Sequence, residues 1–585
     1  MNEEEEEEKE WEETRGEEWE EEEKEVGELR DIREKIFAHA LENAKKFGKA
    51  SVESVIGKII FENPKLKLKE KIGILKEEVK KVVEEVNKLS AEEIEERLRE
   101  IGLEKEGGKE KGKKEGKGGE EREIKVKEHF LGYNTRFAPE PSGYLHLGHA
   151  RAAILSYEIA RRNGGKFILR FDDTNPKTAR AEYVEQIKKD ISWLGLEWDS
   201  ESYSSDYMEI FYEKANELLK NDFAYVCECD RESIKINRMS KKECPCRDKP
   251  RIANIRDFER MMNGEELTLR LKGNMRSPNT ALRDPILMRV IKEKHWRKNY
   301  FVWPSYDFSC PIMDNIENIS HVLRDKGYEL RDPLYKKICK ILKLNVPHII
   351  SFSRLEVKNN TLSKREIVKI INERKIKFDD PRLLTLAGLR NRGISPKTIK
   401  KIIISLGLTK RKCELEMERI LAENRKELDL ISRRINFVKN PIELKIPLKK
   451  RVKIKFHPTS NLGEREILVD GKVYVQKEDL DEIIRLKDLA TVKIKDGECE
   501  ILEEEIKEYK NVKKVQWVTD YYEAVVKRPS DLLINGNFNE NSMILENGIC
   551  ERYEPKIGET IQFIRYGFVK FDGKKDEKLY FTFSC

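Results

Sequence analysis

Histidine is scarce in this chain, 8 among 585 residues, and long apolar runs are missing altogether. A helix that crosses a bilayer needs roughly 18 or more consecutive apolar residues; none occurs, so the sequence predicts no membrane span and no membrane partner. The first residues are acidic, the reverse of the basic-then-apolar layout of a secretory leader, and the expectation is a cytoplasmic protein. Ten cysteines are scattered along the length. In an intracellular-looking chain that argues against a disulfide frame and for free thiols or a metal site.

What is abundant is charge. Charged residues make up 39% of the chain and the mean hydropathy is −0.71, which suits a soluble protein long enough for about three to five domains. The net charge of +6 conceals an asymmetry: residues 1–25 hold sixteen Glu against three Lys or Arg, leaving about +19 on the remainder. So basic a body suits a phosphate-rich polymer, with a merely solvated surface as the plainer alternative.

Residues 1–26 form a glutamate run too like-charged to fold alone, an expected disordered tail. From 27 to 103 apolar positions follow helical spacing (Leu29, Ile32, Ile36, Ala40, Ala44, Phe47, then Ile72, Leu75, Val79, Val82, Val83, Val86). Ser90 with Glu93 makes a capping box, and Leu89 with Ile94 a hydrophobic staple, for a helix ending near Gly102. A small helical domain is predicted. Residues 104–124 read as a flexible linker. Gly107 to Lys114 in it approximates a phosphate loop, but the final Ser or Thr, the leading strand and the following helix are all missing, so that reading is rejected.

Between 125 and 226 strand and helix patterns alternate, which implies parallel strands with crossover helices and ligands at the strands' carboxyl ends. T-R-F-A-P-E-P-S-G-Y-L-H-L-G-H, Thr135 to His149, reads as strand, tight turn and helix. Backbone N–H groups and a helix N-terminus there form a seat for phosphate, with His146 and His149 within one turn of it. Two incidental histidines on a capped helix are the alternative, disfavoured in a chain so poor in histidine. K-F-I-L-R-F reads as a buried strand, and D-D-T-N-P places Asp172 and Asp173 at its carboxyl end, for ligand binding or simply for turn chemistry. A helix over Ala181 to Leu194 and a strand near Ser202 to Ser204 follow.

Cys227, Cys229, Cys244 and Cys246 form C-x-C and C-P-C pairs across a loop, a candidate tetrahedral zinc site or an unmetallated remnant of one. Residues 227–300 read as an insertion rich in Arg and Lys. From 301 to 376 the alternation resumes, with strand-like Tyr300 to Phe308 and Ser351 to Val357, ending in N-N-T-L-S-K-R. Lys364 lies just before a helical pattern, where its ammonium could close over a polyphosphate.

H-L-G-H (His146 to His149) and T-L-S-K-R (Thr361 to Arg365) resemble the two signature motifs of class I aminoacyl-tRNA synthetases. T-R-F-A-P-E-P-S-G-Y-L-H-L-G-H-A, L-R-F-D-D-T-N-P, Y-D-F, H-V-L-R and F-D-D-P-R-L-L-T-L-A-G-L-R-N-R-G-I (Phe378 to Ile394) are similar, more narrowly, to the glutamyl/glutaminyl branch in its archaeal and eukaryotic form. The likeness runs from about residue 27 to the C-terminus. It implies a multidomain α/β plus all-β fold: a Rossmann-type class I catalytic domain with an acceptor-end-binding insertion at 227–300, an N-terminal helical domain, a helical connecting domain at 377–438 and a C-terminal β-barrel anticodon-binding region at 439–585. Short alternating runs such as V-K-I-K-F, E-I-L-V, V-Y-V and Y-F-T-F between Gly, Asn and Asp turns independently read as β-barrels.

The resemblance implies ATP-dependent attachment of L-glutamate to the 3′ end of tRNA(Glu) through a glutamyl-adenylate, with Mg²⁺ beside the nucleotide and tRNA(Gln) as a further candidate substrate. Pro139, Glu140, Gly143, His146, Gly148, His149, Arg354, Leu355, Ser363 and Lys364 would meet ATP, with His146, His149 and Lys364 as the catalytic set. Arg136, Asp172, Tyr306 and Arg324 would line the amino-acid pocket. Thr361 and Arg365 depart from the commonest form of the second motif. Arg324 favours glutamate over glutamine, since glutaminyl members carry a small neutral residue there. A glutaminyl enzyme and a non-catalytic tRNA-binding paralogue are the rival readings, and a monomer is expected. Arg390, Arg392, Lys397, Lys400 and Lys401 are basic helix positions read either as contacts to the inner bend of tRNA or as a solvated face.

Overall fold

The computed structural model describes residues 33, 36–41, 43–45, 48–62, 69–90, 92–94, 97, 132–505 and 508–585. The acidic tail expected at 1–26, the linker at 104–124, Leu29, Ile32 and Phe47, and the side chains of Ile72 and Leu75 lie outside the described residues. Helices α1 (Val52–Glu62) and α2 (Lys69–Val86) gather Ile36, Ala40, Val55, Ile59, Val79, Val82 and Val86 into one apolar cluster. Ser90 and Glu93 form the expected reciprocal cap: the Ser90 N–H donates to Glu93 Oε2 at 2.8 Å and the Glu93 N–H to Ser90 Oγ at 3.2 Å. Leu89 and Ile94, the staple pair, both pack on that cluster.

In the first α/β region, β1 (Thr135–Phe137), β2 (Phe167–Phe171) and β3 (Ser200–Tyr203) run parallel, with α3 (Leu147–Arg162) and α4 (Ala181–Trp193) as crossovers. All five residues of β2 are buried, so its F-I-L-R-F run is apolar apart from one arginine that must find partners inside. Helix α5 (Met208–Lys220) leads into an antiparallel sheet of β4 (Ala224–Cys227), β5 (Thr268–Leu271), β6 (Ile286–Val290) and β7 (Val302–Pro304), with α6 (Arg231–Met239) and α7 (Arg251–Met262) between β4 and β5. The strand pattern at 300–308 therefore divides. Val302–Pro304 closes the antiparallel sheet, and Tyr306 instead starts helix α8 (Tyr306–Ile316).

Next come β8 (His321–Asp325), α9 (Asp332–Ile341) and β9 (His348–Phe352), with β8 and β9 parallel. The Asn134 carbonyl, just ahead of β1, accepts from the Ser320 and His321 N–H groups at 3.0 and 3.1 Å, and Tyr133 stacks on His321 at 3.9 Å. These contacts seat β8 beside β1, giving the order 3-2-1-8-9 with its reversal between β1 and β8, where open α/β sheets form their ligand crevice. The run Ser351 to Val357 breaks into β9 and β10 (Leu355–Val357), with Ser353 and Arg354 at the break.

Helices α10 (Lys364–Arg374), α11 (Leu386–Arg392) and α12 (Pro396–Leu406), strand β11 (Cys413–Leu415) and helix α13 (Met417–Asp429) connect to the C-terminal region. Most of the basic positions read there as tRNA contacts are engaged within the protein. Arg390 reaches Asp190 (3.4 Å), Lys400 the Gly195 carbonyl (3.0 Å) and Lys401 Glu423 (2.5 Å), while Arg392 is buried.

Two nearly closed, barrel-like sheets of seven strands complete the chain. β12 (Arg434–Ile435) and β13 (Phe437–Lys439) begin the first, which the chain leaves at once to build the second from β14 (Pro441–Lys455), β15 (Glu464–Gln476) and five strands ending at Val518. It then returns at Tyr521 to finish the first. E-I-L-V and V-Y-V belong to one strand, β15, and the intervening Asp470-Gly471 continues that strand instead of turning. Opposite it the register slips between Lys445 and Lys449, around Pro447, which has no N–H to give the ladder, and Gly471 takes φ +76°.

Asn424 on α13 joins the connecting helices to the first barrel. It is fully buried; its Oδ1 accepts from the Ser395 N–H (2.8 Å) and the Thr398 hydroxyl (3.0 Å), and its Nδ2 donates to the Gly393 carbonyl (3.1 Å) and Ser584 Oγ (3.0 Å). Asn424→Ala should cost about 2–3 kcal/mol by stranding these buried groups, seen as a lowered Tm in calorimetry. An unchanged Tm would show that the junction does not depend on this amide.

Candidate active site

The turn after β1 is stitched to the loop after β2: the Pro139 carbonyl accepts from the Asp172 N–H at 3.1 Å and the Pro141 carbonyl from the Arg180 N–H at 3.0 Å. Exposed Glu140 accepts from the Thr178 hydroxyl at 2.7 Å. His146 is the N-cap of α3, and its Nδ1 accepts from the Gly148 N–H at 3.1 Å. His149 Nδ1 accepts in turn from the His146 N–H at 3.2 Å. With both Nδ1 atoms acting as acceptors, the proton of each neutral ring sits on Nε2, which remains to donate elsewhere. Burial pushes the His146 pKa well down, helped by His149 and Lys364, and burial with the Lys364 charge lowers His149 to about 4. The pair at the helix N-terminus is therefore uncharged at neutral pH.

Lys364, the first residue of α10, comes to the same turn from 222 residues away. Its ammonium donates to the Ser142 hydroxyl and its stem crosses the face of Gly143, where any Cβ would collide with the lysine Cε. Burial pushes the Lys364 pKa down, opposed by Glu140. Thr361 holds the loop from within: its Oγ1 accepts from the Ser363 N–H at 3.0 Å and donates to Glu366, while Ser363 caps α10. Arg365 is exposed. Arg354 is 78% exposed and 3.7 Å from Asp325, whereas Leu355 is buried in the catalytic core, so only Arg354 of that pair presents its side chain.

Sequence reasoning missed Thr385. Residues 384–386 lie antiparallel to the H-L-G-H turn, the Leu147 N–H donating to Leu384 O at 3.0 Å and the Leu386 N–H to Leu145 O at 2.9 Å. Buried Thr385 donates to the Phe378 carbonyl at 2.7 Å and caps α11. The sequence signal was its T-x-x-G cap spacing inside an apolar run.

At the strand ends Arg136, Arg170 and Asp172 belong to a buried ionic cluster, also unforeseen. Asp314 on α8 accepts from Arg136 Nε at 2.9 Å, pairs with Arg170 Nη2 at 2.9 Å, and takes the Tyr335 hydroxyl at 2.9 Å. Burial raises its pKa, but the two guanidiniums outweigh that and hold it at about 2. Arg170, fully buried, also meets Asp172 Oδ1 (3.2 Å) and Glu317 (2.9 Å). Asp172 Oδ1 further accepts from the Ser204 hydroxyl at 2.8 Å, while its Oδ2 has no partner among the described residues. Arg324 is 5% exposed, pairs with Asp332 and lies over the Tyr335 ring, and its Nε is likewise without a partner among the described residues. Tyr306 stands at the head of α8 with its ring 5.4 Å from that of Tyr328. An orphan buried acceptor and an orphan buried donor around one cluster are suited to a small ligand carrying both charges.

The four thiols of Cys227, Cys229, Cys244 and Cys246 lie within 4.8 Å of one another, with close approaches of 3.4–3.9 Å. Zinc at about 2.3 Å from each sulfur sets tetrahedral S···S edges near ~3.8 Å, so the donor set fits that ion.

Comparison with known proteins follows this geometry. Residues 133–430 match the family described as tRNA synthetases class I (E and Q), catalytic domain, and residues 432–513 match the anticodon-binding domain of the same description. The chain is 39% identical to a glutamate–tRNA ligase of Nitrosopumilus maritimus, covering 93% of this chain and 98% of the relative. It is 37% identical to the enzyme of that name from Sulfurisphaera tokodaii (95% and 100% covered) and 38% identical to that from Pyrococcus abyssi (92% and 97%). A crystal structure of the glutamate–tRNA synthetase from Elizabethkingia anophelis aligns over 52% of this chain and 71% of its own, with 22% identity and a TM-score of 0.40.

Because the folded His149 pKa of about 4 lies below the free value of 6.5, the ring's contribution to stability is complete above pH 6.5 and is lost as pH falls toward 4. Nitrogen-15 NMR at pH 6 should show His149 neutral, with Nε2 protonated and Nδ1 bare. A ring half-protonated near pH 6.5 would contradict the assignment.

Proposed function

The chain belongs to the class I tRNA synthetases (E and Q), and we propose that within that family it is a glutamate–tRNA ligase acting as a cytoplasmic monomer. The glutamate α-carboxylate attacks the α-phosphorus of ATP, pyrophosphate leaves, and the terminal ribose hydroxyl of tRNA(Glu) then displaces AMP from the adenylate. The neutral Nε2–H groups of His146 and His149 donate to α-phosphate oxygens as charge gathers on them, and the N-terminus of α3 adds its dipole. Neutral rings serve as donors without altering the site's charge. Lys364 neutralises the departing pyrophosphate, Gly143 leaves room for its stem, and Mg²⁺ bound by ATP would supply further countercharge on the phosphates. Pro139 and Glu140 shape the nucleotide turn, Gly148 spares the His146 ring, Ser363 starts the Lys364 helix, and Arg354 packs on the adenine beside Leu355.

The observation that carries the glutamate reading is the pair of orphan groups. Asp172 Oδ2 is a buried anionic acceptor for the α-ammonium, and Arg324 Nε a buried cationic donor for the side-chain carboxylate. Arg136 and Tyr306 complete that pocket. Asp332 already pairs the Arg324 charge, and a neutral glutamine amide would offer the buried Nε–H a weaker acceptor than the charge-assisted carboxylate of glutamate does.

Purified chain, ATP, Mg²⁺ and unfractionated tRNA should charge labelled glutamate onto tRNA(Glu), with tRNA(Gln) assayed in parallel. Charging with glutamine alone would make the chain a glutaminyl enzyme, and tRNA binding with no charging would make it a non-catalytic paralogue. Arg324→Ala should raise the KM for glutamate about a hundredfold while ATP binding changes little, the loss of a charge-assisted pair being worth about 3 kcal/mol.

The four thiols, in the same reading, hold one Zn²⁺ that ties the end of β4 to the loop before α7 in the acceptor-end-binding insertion; the ion's chemistry there is structural. Metal analysis of protein dialysed without chelator should find about one zinc per chain, and its absence would remove the ion from the account.

A further inference from the structure

Arg151 lies on α3 two residues beyond His149 and is completely buried, with no ion-pair partner among the described residues. A buried guanidinium lacking a carboxylate must be compensated by dipoles or it destabilises the fold by several kcal/mol. Two main-chain carbonyls fill that role: Arg151 Nη1 donates to Ser353 O at 2.7 Å and Nη2 to Gly407 O at 3.1 Å. Nη1 also approaches Ser353 Oγ at 3.3 Å, and the guanidinium lies 5.3 Å from the centre of the Phe352 ring.

The two acceptors are themselves joined. The Ser353 N–H donates to the Thr409 carbonyl at 2.7 Å, so the Ser353 residue is fixed at its carbonyl by Arg151 and at its N–H by the segment that Arg151 also fixes through Gly407. Gly407 ends α12 with φ +62°, a backbone that side chains rarely adopt. Ser353 immediately precedes Arg354, and the break between β9 and β10 falls here. The planar fork sends N–H groups from two nitrogens, Nη1 and Nη2, to the two carbonyls, a fixed spread that the three N–H groups on lysine's single nitrogen do not reproduce.

We propose that Arg151 is a positioning residue for the adenosine end of the nucleotide: it sets the turn bearing Arg354 at a fixed place relative to the two histidines on its own helix. This rests on the reading above that the site takes ATP. The phosphate end depends on His146, His149 and Lys364, none of which Arg151 touches, so the two ends of the nucleotide should respond differently to its loss.

Titration calorimetry of ATP and of pyrophosphate against the full-length wild type, Arg151→Met and Arg151→Lys separates them. ATP should bind Arg151→Met about tenfold more weakly, the factor that about 1.4 kcal/mol represents, and Arg151→Lys about threefold, while pyrophosphate shifts by less than about twofold in both. Equal losses for the two ligands would mean general loosening and overturn the proposal, as would unchanged ATP affinity. Should Arg151→Met not fold, as judged by its Tm, the lysine variant decides by the same comparison. A wild type that binds ATP but charges no glutamate would defeat the functional reading and leave this one standing.

Discussion

The Asp314 carboxylate holds the catalytic half in its arrangement. Buried guanidiniums are too costly to leave unpaired, and β1 and β2 each send one inward, Arg136 and Arg170. Asp314 answers both, and with Asp172 and Glu317 the cluster counts three carboxylates against two arginines. One buried oxygen of Asp172 is left without a hydrogen-bond partner among the described residues. The same contacts clamp α8 against the central strands, so the placement of Asp172 and the cohesion of the sheet have one electrostatic origin.

At the nucleotide end the constraint is geometric. A helix N-terminus has N–H groups to satisfy, and here two imidazoles satisfy them from the same atom type, which leaves both remaining ring nitrogens as donors. Capping thus uses one side of each ring and leaves the other side free to donate. A Cβ at Gly143 would meet the lysine stem as it now lies, and one at Gly148 would press on the His146 ring.

Much of this was legible because it is local. The H-L-G-H turn, the capping box at Ser90, the strand F-I-L-R-F and the four close thiols all carry their geometry within a few residues. Asp314 was not legible, since its partners lie 178 and 144 positions away in sequence and nothing in Y-D-F-S-C-P-I-M-D-N-I-E says which acid turns inward. Tyr306 to Phe308 reads as a strand from its aromatic content, but Ser305 and the following apolar spacing start a helix once Pro304 ends the sheet. The basic residues of α11 and α12 read by count as an RNA face or a solvated one; their contacts to Asp190, Glu423 and the Gly195 carbonyl are tertiary ones that a sequence window cannot contain. At β14 and β15 a Pro and a Gly that normally signal turns instead bend a continuous hairpin.

The nesting of one barrel inside the other also imposes an order of manufacture. Phe437 on β13 pairs with Cys550, and Arg434 on β12 with Gln562, so neither strand finds its neighbour until the entire inner barrel has left the ribosome. For that interval the outer barrel's first strands are open edges, the state in which chains stick to one another, whereas the inner barrel has all of its strands by Val518. The order in which the chain is made thus completes the outer barrel last, a consequence that no single contact of the finished molecule records.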